Sequence, residues 1–228
     1  MKILAVDTAT EACSAALVFD GEIVERHEVI GRGHAERLLP MVQEVLAEAG
    51  VALAAVDAIA FGRGPGSFTG LRIGAGVTQG LAFGANLPVV PVSDLAALAA
   101  RAAARHGERY VLACLDARMS QVYWAAFDCA DVKAPIALTT EAVSDAGEVA
   151  LPGTTGGGPA FFGAGHGLSA YPALHTLLGP RLVGFDPDLL PHAREIALIG
   201  AQVFAQGGAV GAEHAVPVYL RDDVAHRR

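Results

Sequence analysis

Three cysteines in 228 residues, Cys13, Cys114 and Cys129, are too few and too scattered for a disulfide framework. Their odd number and the lack of CxxC spacing point to reduced thiols and so to the cytoplasm. Long hydrophobic runs are also missing. No uncharged apolar stretch reaches the roughly 18 residues that a membrane-spanning helix needs. The chain enters MKILAV and Asp7 at once, which reads as a strand start and not as a signal peptide. Positive charge is scarce as well: the formal net charge is −8 and the sequence pI ≈ 5.4. Apart from Arg221, Arg227 and Arg228 the basic residues are scattered, with no stripe of Arg and aromatics to grip a phosphate backbone. Work on nucleic acid would therefore need a partner that holds it. The chain is 53% hydrophobic and 18% charged, too apolar for disorder, and long enough for one large domain or two small ones.

What is present alternates strands with helices. Apolar patterning predicts strands at 3–6, 12–19 and 22–30, the last two joined by a turn at Asp20-Gly21. Residues 34–49 have helical spacing and end at Gly50, while Pro40 predicts a kink or a fresh start inside that helix. A strand at 58–61, a helix at 69–84, a strand at 88–92 and a helix capped by Ser93 and running to 106 follow. From Arg109 the pattern begins again. Strands at 110–115, 121–127 and near 136–140 precede helices at 171–178 and 191–206, with a strand at 181–185 between them. The stretch 151–167, LPGTTGGGPAFFGAGHG, is the most glycine-rich part of the second half and is expected to contain a mobile loop. Two βββαβα-type halves in tandem divide the chain into 1–107 and 108–228.

The most informative segment is 61–76, FGRGPGSFTGLRIGAG. Gly62, Gly64, Gly66 and Gly70 surround Pro65 ahead of a helix. Glycine lets another backbone or a phosphate approach closely, and a helix N-terminus offers free N–H groups to an anion. Two readings fit: an anion cradle, or a structural turn whose glycines admit a packed neighbour. A P-loop is excluded, because GxxxxGK followed by Ser or Thr needs a Lys that this loop lacks. The helix behind the loop carries Gly70, Gly74, Gly76, Gly80 and Gly84. Each costs about 0.5–1 kcal/mol relative to Ala, which signals close backbone approach, either to the chain's own sheet or to a second subunit. The preceding helix adds His34, Leu38, Leu39, Met41, Val42, Val45 and Leu46, more apolar surface than one helix–sheet contact requires. These twelve residues form the candidate partner interface, suited to a homodimer or to a heterodimer with a paralogue.

Each half also places an Asp between its first two strands, Asp7 in LAVDTATEACSAALVF and Asp116 in ACLDARMSQVYWAAFD. Such an Asp accepts N–H bonds from the next turn or holds water around a metal ion. The histidines His27, His34, His106, His166, His175, His192, His214 and His226 include no i,i+3 or i,i+4 pair and no HExxH, so no metal site is expected.

The duplicated α/β pattern resembles the tandem actin-like, Hsp70-like ATPase (ribonuclease H-like) fold. Within it, ILAVDTATEACSAAL, GHAERLLPMVQEVL, AFGRGPGSFTGLRIG and PVYLRDDV together resemble the TsaB family, also called YeaZ, over essentially the whole chain. That family comprises bacterial accessory proteins of tRNA threonylcarbamoyladenosine biosynthesis, although its members have also been labelled peptidase-like. The resemblance implies a noncatalytic paralogue of the TsaD transferase. Such a subunit would bind and activate TsaD, help recruit the TsaE ATPase, dimerise when alone and meet tRNA only through the complex. It implies no intrinsic cofactor, with ATP or ADP at the partner interface. TsaD holds a metal with histidines after the strand matching 89–92, where this chain has Ser93-Asp94-Leu95. Asp7, Thr8, Thr10, Gly66, Ser67 and Arg118 make up a candidate nucleotide site and the basis of the alternative, a stand-alone nucleotide hydrolase or kinase. In the related ATPases small residues wrap phosphate at the second turn, where this chain has Ala117-Arg118-Met119-Ser120. Arg118 has three possible partners: Asp7, Asp116 or a nucleotide phosphate.

Overall fold

The computed structural model describes residues 1–153 and 158–221. Strands β1 (Lys2–Asp7), β2 (Ala12–Phe19) and β3 (Glu22–Val29) form an antiparallel meander. Asp20 and Gly21 both have positive φ, 49° and 89°, as a two-residue hairpin turn of the right twist requires. Helix α1 (His34–Ala49), strand β4 (Ala58–Gly62), helix α2 (Phe68–Ala85), strand β5 (Val89–Val92) and helix α3 (Asp94–His106) complete the first half. Its sheet runs β3-β2-β1-β4-β5, with β4 and β5 parallel to β1.

The second half repeats this order. β6 (Tyr110–Arg118) pairs antiparallel with β7 (Gln121–Asp128), and the parallel strands β10 (Phe161–Ala164) and β11 (Leu182–Asp186) lie on the other side of β6. The expected third strand is split in two, β8 (Ile136–Ala137) and β9 (Ala142–Asp145), both paired with β7. Helices α4 (Gly167–Ala170), α5 (Ala173–Leu178) and α6 (Ala193–Ala205) complete the set. The fold is thus α/β, built from two sheets of the same strand order.

Several local expectations need correction. Pro40 neither ends nor restarts α1, which runs unbroken. Pro40 and Glu36 are both exposed, so water can take the Glu36 carbonyl that the missing N–H leaves free. The stretch 151–167, expected to contain a mobile loop, also contains β10. Its four residues, FFGA, are too few to show a period against the glycines around them. The expected helix 171–178 begins only at Ala173, after the separate turn α4. Residues 154–157 of the predicted loop lie outside the described residues. So do Asp222, Asp223 and Val224 of PVYLRDDV, together with His226, Arg227 and Arg228.

The first sheet is built from strands within residues 2–92 and the second from strands within 110–186, while two helices are exchanged between them. α3 packs on β6, β7 and β10 of the second sheet, while α6 packs on β1, β2, β4 and β5 of the first and on α3. A run of buried alanines, Ala96, Ala97, Ala99, Ala100, Ala102 and Ala103, lets α3 approach closely. The outer face of the first sheet carries a separate core under α1 and α2, including Leu4, Val6, Ile59 and Phe61. The outer face of the second carries another around Phe161 and Trp124.

Candidate functional site

Between the halves lies an open cleft of about 1580 Å³. One wall consists of the β1–β2 turn, the start of α1 and the glycine-rich loop leading into α2. The other consists of the end of β6, Tyr123, His166 and Ser169. A nucleotide in an actin-like protein would sit here, so each candidate residue can be placed against it.

Most polar groups of the first wall are engaged within the protein, but Asp7 Oδ2 has no hydrogen-bond partner among the described residues. Asp7 is buried, and its Oδ1 accepts from the Ala9 N–H at 2.8 Å. The Thr8 hydroxyl donates to the Gly70 carbonyl at 2.7 Å, and Thr10 Oγ1 accepts weakly from the Ala12 N–H at 3.3 Å. Ser67 caps α2 through the Gly70 N–H at 3.4 Å and donates its own N–H to the Ala9 carbonyl at 2.7 Å. The glycines of this loop make room for that turn. A Cβ at Gly66 would overlap the Ala9 carbonyl, one at Gly70 the Thr8 carbonyl, and one at Gly74 would lie 2.8 Å from Thr8 Oγ1. What the loop cradles is the backbone of Thr8 and Ala9. Of its two readings, the structural turn accounts for these contacts.

Asp94, marked in the sequence only as part of the Ser93-Asp94-Leu95 that stands where TsaD has histidines, proves central to this region. It is fully buried beside Asp7, and its Oδ2 accepts the Gly64 N–H at 2.5 Å. Burial pushes both carboxyls above the usual carboxylate range, Asp94 well above it because the Asp7 charge adds to the effect of burial. The Ala9 N–H holds Asp7 back. Two buried carboxyls side by side favour the protonated form of Asp94, and Asp94 Oδ1 and Asp7 Oδ2 have no hydrogen-bond partner among the described residues. The pair lies beneath the loop: a Cβ at Gly62 would meet Asp7 Oδ1 at 2.7 Å.

On the second wall Asp116 accepts from the Arg118 N–H at 2.8 Å and from the Tyr171 hydroxyl at 2.9 Å, and it pairs with the Arg118 guanidinium at 3.0 Å. Of the two protein partners considered for Arg118, its guanidinium lies against Asp116, with the Arg side chain 87% exposed. The Asp116 N–H donates to His166 Nδ1 at 2.9 Å. His166 Nε2 faces Glu11 across the cleft at 3.8 Å, yet burial outweighs that charge and lowers the imidazole pKa. The sequence held no local signal for the Tyr171 or His166 contacts, which join residues 55 and 50 positions apart. Among the described residues no group of three or more His, Cys, Asp or Glu side chains is placed to hold a metal ion.

The candidate interface separates into two sets. Leu38, Met41, Val42 and Val45 are buried in the chain's own core, and Leu46 packs partly against it. His34 is buried too, its Nε2 3.0 Å from the Thr10 carbonyl. These residues recur at i, i+4, i+7, i+8 and i+11, the stripe by which α1 covers its sheet, so they are not a docking face. Gly70 and Gly74 serve the β1–β2 turn. Leu39 remains 43% exposed, while Gly76, Gly80 and Gly84 have open space where a Cβ would stand, beside Phe83 at 63% exposed. Among the described residues no helix is long and apolar enough to cross a membrane.

A family model described as "TsaD: tRNA N6-adenosine threonylcarbamoyltransferase" matches residues 26–227. The tRNA threonylcarbamoyladenosine biosynthesis protein TsaB of Escherichia coli is 44% identical over 229 residues, covering 100% of this chain and 98% of that protein. A solved structure, YeaZ from Pseudomonas aeruginosa, is 48% identical with a TM-score of 0.88, covering 96% of this chain and 99% of that one. A second crystal structure with the same identity and coverage has a TM-score of 0.89; it is described as an uncharacterized protein with similarity to peptidase YEAZ from Pseudomonas aeruginosa.

Proposed function

This chain belongs to the TsaB (YeaZ) family, and from that premise we propose that it serves tRNA threonylcarbamoyladenosine biosynthesis as a noncatalytic cytoplasmic scaffold. It binds and activates the TsaD transferase, which places threonylcarbamoyl on the adenosine next to the anticodon of tRNAs reading codons that start with A. It helps recruit the TsaE ATPase, pairs with itself when alone, and meets tRNA only through the complex. ATP or ADP, where the complex uses it, sits at the partner interface.

The observation that carries this reading is the face of α2. Gly76, Gly80 and Gly84 weaken a helix by about 0.5–1 kcal/mol each relative to Ala. Among the described residues nothing lies within 4 Å of where a Cβ would stand on them. With Phe83 exposed on the same helical face, they form a partly apolar strip on which another helix can approach backbone to backbone. The cleft supports the same reading: the hydroxyls of Thr8 and Ser67 are bonded within the protein, and Asp116 holds Arg118 and Tyr171. The deciding experiment mixes the chain with its TsaD paralogue and follows complex mass and tRNA modification together. Modification that needs both proteins, and that Gly80→Leu abolishes along with the complex, supports the scaffold. ATP turnover by the purified chain alone would return the case to a nucleotide hydrolase or kinase.

A further inference from the structure

The last described residues, 216–221, lie along the cleft and touch both of its walls. On the first wall the Val218 N–H donates to the Arg63 carbonyl at 2.7 Å. The Tyr219 hydroxyl accepts from Arg72 Nε at 3.0 Å, and its ring packs on Phe68 with centroids 5.5 Å apart. The Arg72 guanidinium lies 3.7 Å above the Phe68 ring, so α2 and this segment share one stacked unit. On the second wall the Arg221 guanidinium donates to Gln121 Oε1 at 2.6 Å and to the Ala117 carbonyl at 3.0 Å, and meets the Met119 sulfur at 3.6 Å.

Those three contacts bracket the β6–β7 turn. Within it Arg118, Met119 and Ser120 have φ of 63°, 55° and 65°, three successive side-chain-bearing residues in the left-handed region. Such a conformation persists only where surrounding contacts over-determine it. Arg221 supplies contacts before, within and after the turn. Arg63 adds a tie of its own, since its guanidinium meets Glu141 of the second half at 3.0 Å.

We infer that residues 216–221 are a strap that fixes the width of the cleft and holds the β6–β7 turn in its left-handed form. With the strap in place the two halves move as one body. With its Arg221 end released, the walls hinge on α3 and α6.

The wall-to-wall distance tests this on the full chain. Arg32 and Ser169 are exposed on opposite walls, and the three native cysteines are buried, so spin labels attach selectively to Arg32→Cys and Ser169→Cys. Electron–electron resonance should give one narrow distance distribution with the strap intact. Arg221→Ala should widen it toward longer distances. Gln121→Ala, which removes a partner from the other wall, should widen it in the same direction, with little further change in the double variant. A broad distribution in the strap-intact protein overturns the strap. So does a distribution unchanged by Arg221→Ala at an unchanged melting temperature. Should Arg221→Ala fail to fold, Gln121→Ala decides by the same criteria.

Discussion

At the scale of single residues the buried Asp7–Asp94 pair makes the sharpest claims. Both folded-state pKa values are raised above the reference of 3.8, so the folded protein binds protons more tightly than the unfolded chain. The stability tied to that proton is fully present below the reference value and is lost as pH rises through the raised folded value. Asn at position 94 is a neutral replacement for the carboxyl and keeps a carbonyl to accept from the Gly64 N–H. Asp94→Asn should therefore fold and lose less stability than wild type as pH rises, which melting curves across pH will show. Asp94→Ala leaves the Gly64 N–H buried without a partner and should cost about 1–3 kcal/mol in urea denaturation. The thiols give a second reading at this scale. Burial pushes Cys13, Cys114 and Cys129 up to about 12, leaving almost no thiolate at neutral pH. A thiol reagent should label none of them in the folded protein and all three after denaturation; rapid labelling under native conditions would contradict the packing described.

Helix α2 has two faces that differ in what each glycine does. At Gly70 a Cβ overlaps the Thr8 carbonyl, so Gly70→Ala should cost about 1–3 kcal/mol as an overpacked site. Gly66→Val meets the Ala9 carbonyl and should likewise damage stability first. At Gly80 the space is open, so Gly80→Ala should stabilise the isolated chain by about 0.5–1 kcal/mol through helix propensity alone. Gly80→Leu should leave the melting temperature near wild type and abolish association. General unfolding of Gly80→Leu would mean that the face is needed within the chain. Chemical denaturation and sedimentation, run on the same four variants, separate these outcomes.

For the molecule as a whole, the cleft and the partner face make opposite demands on an assay of the purified chain. Calorimetry with ATP should find no sub-micromolar site, because most of the first wall's donors and acceptors already serve the β1–β2 turn. A tight site that Gly66→Val removes would overturn the scaffold reading. tRNA should remain unmodified by the chain alone, and modification that a chelator stops would equally refute it.

Much of the fold is legible in the sequence because its signals are local. Short apolar runs place β1, β2, β6 and β7, Asp20-Gly21 closes the first hairpin, and Ser93 caps α3 through the Ala96 N–H at 3.1 Å. The repeat of strand, Asp and strand in both halves reveals the duplication, and GRGPGSFTGLRIG carries the family. Tertiary structure alone decides which neighbours those elements meet. Leu38 and Leu39 are adjacent and equally apolar, yet only contact with the sheet sends one to the core and leaves the other exposed. The glycine loop has room for a phosphate or a backbone, and the choice falls to Thr8, which bonds to Gly70 across 62 residues. The helix exchange depends on contacts longer still, such as the Ala193 N–H on Ser14 Oγ, 179 residues apart. Periodicity records which side of an element is apolar; only the closed chain determines what that side is pressed against.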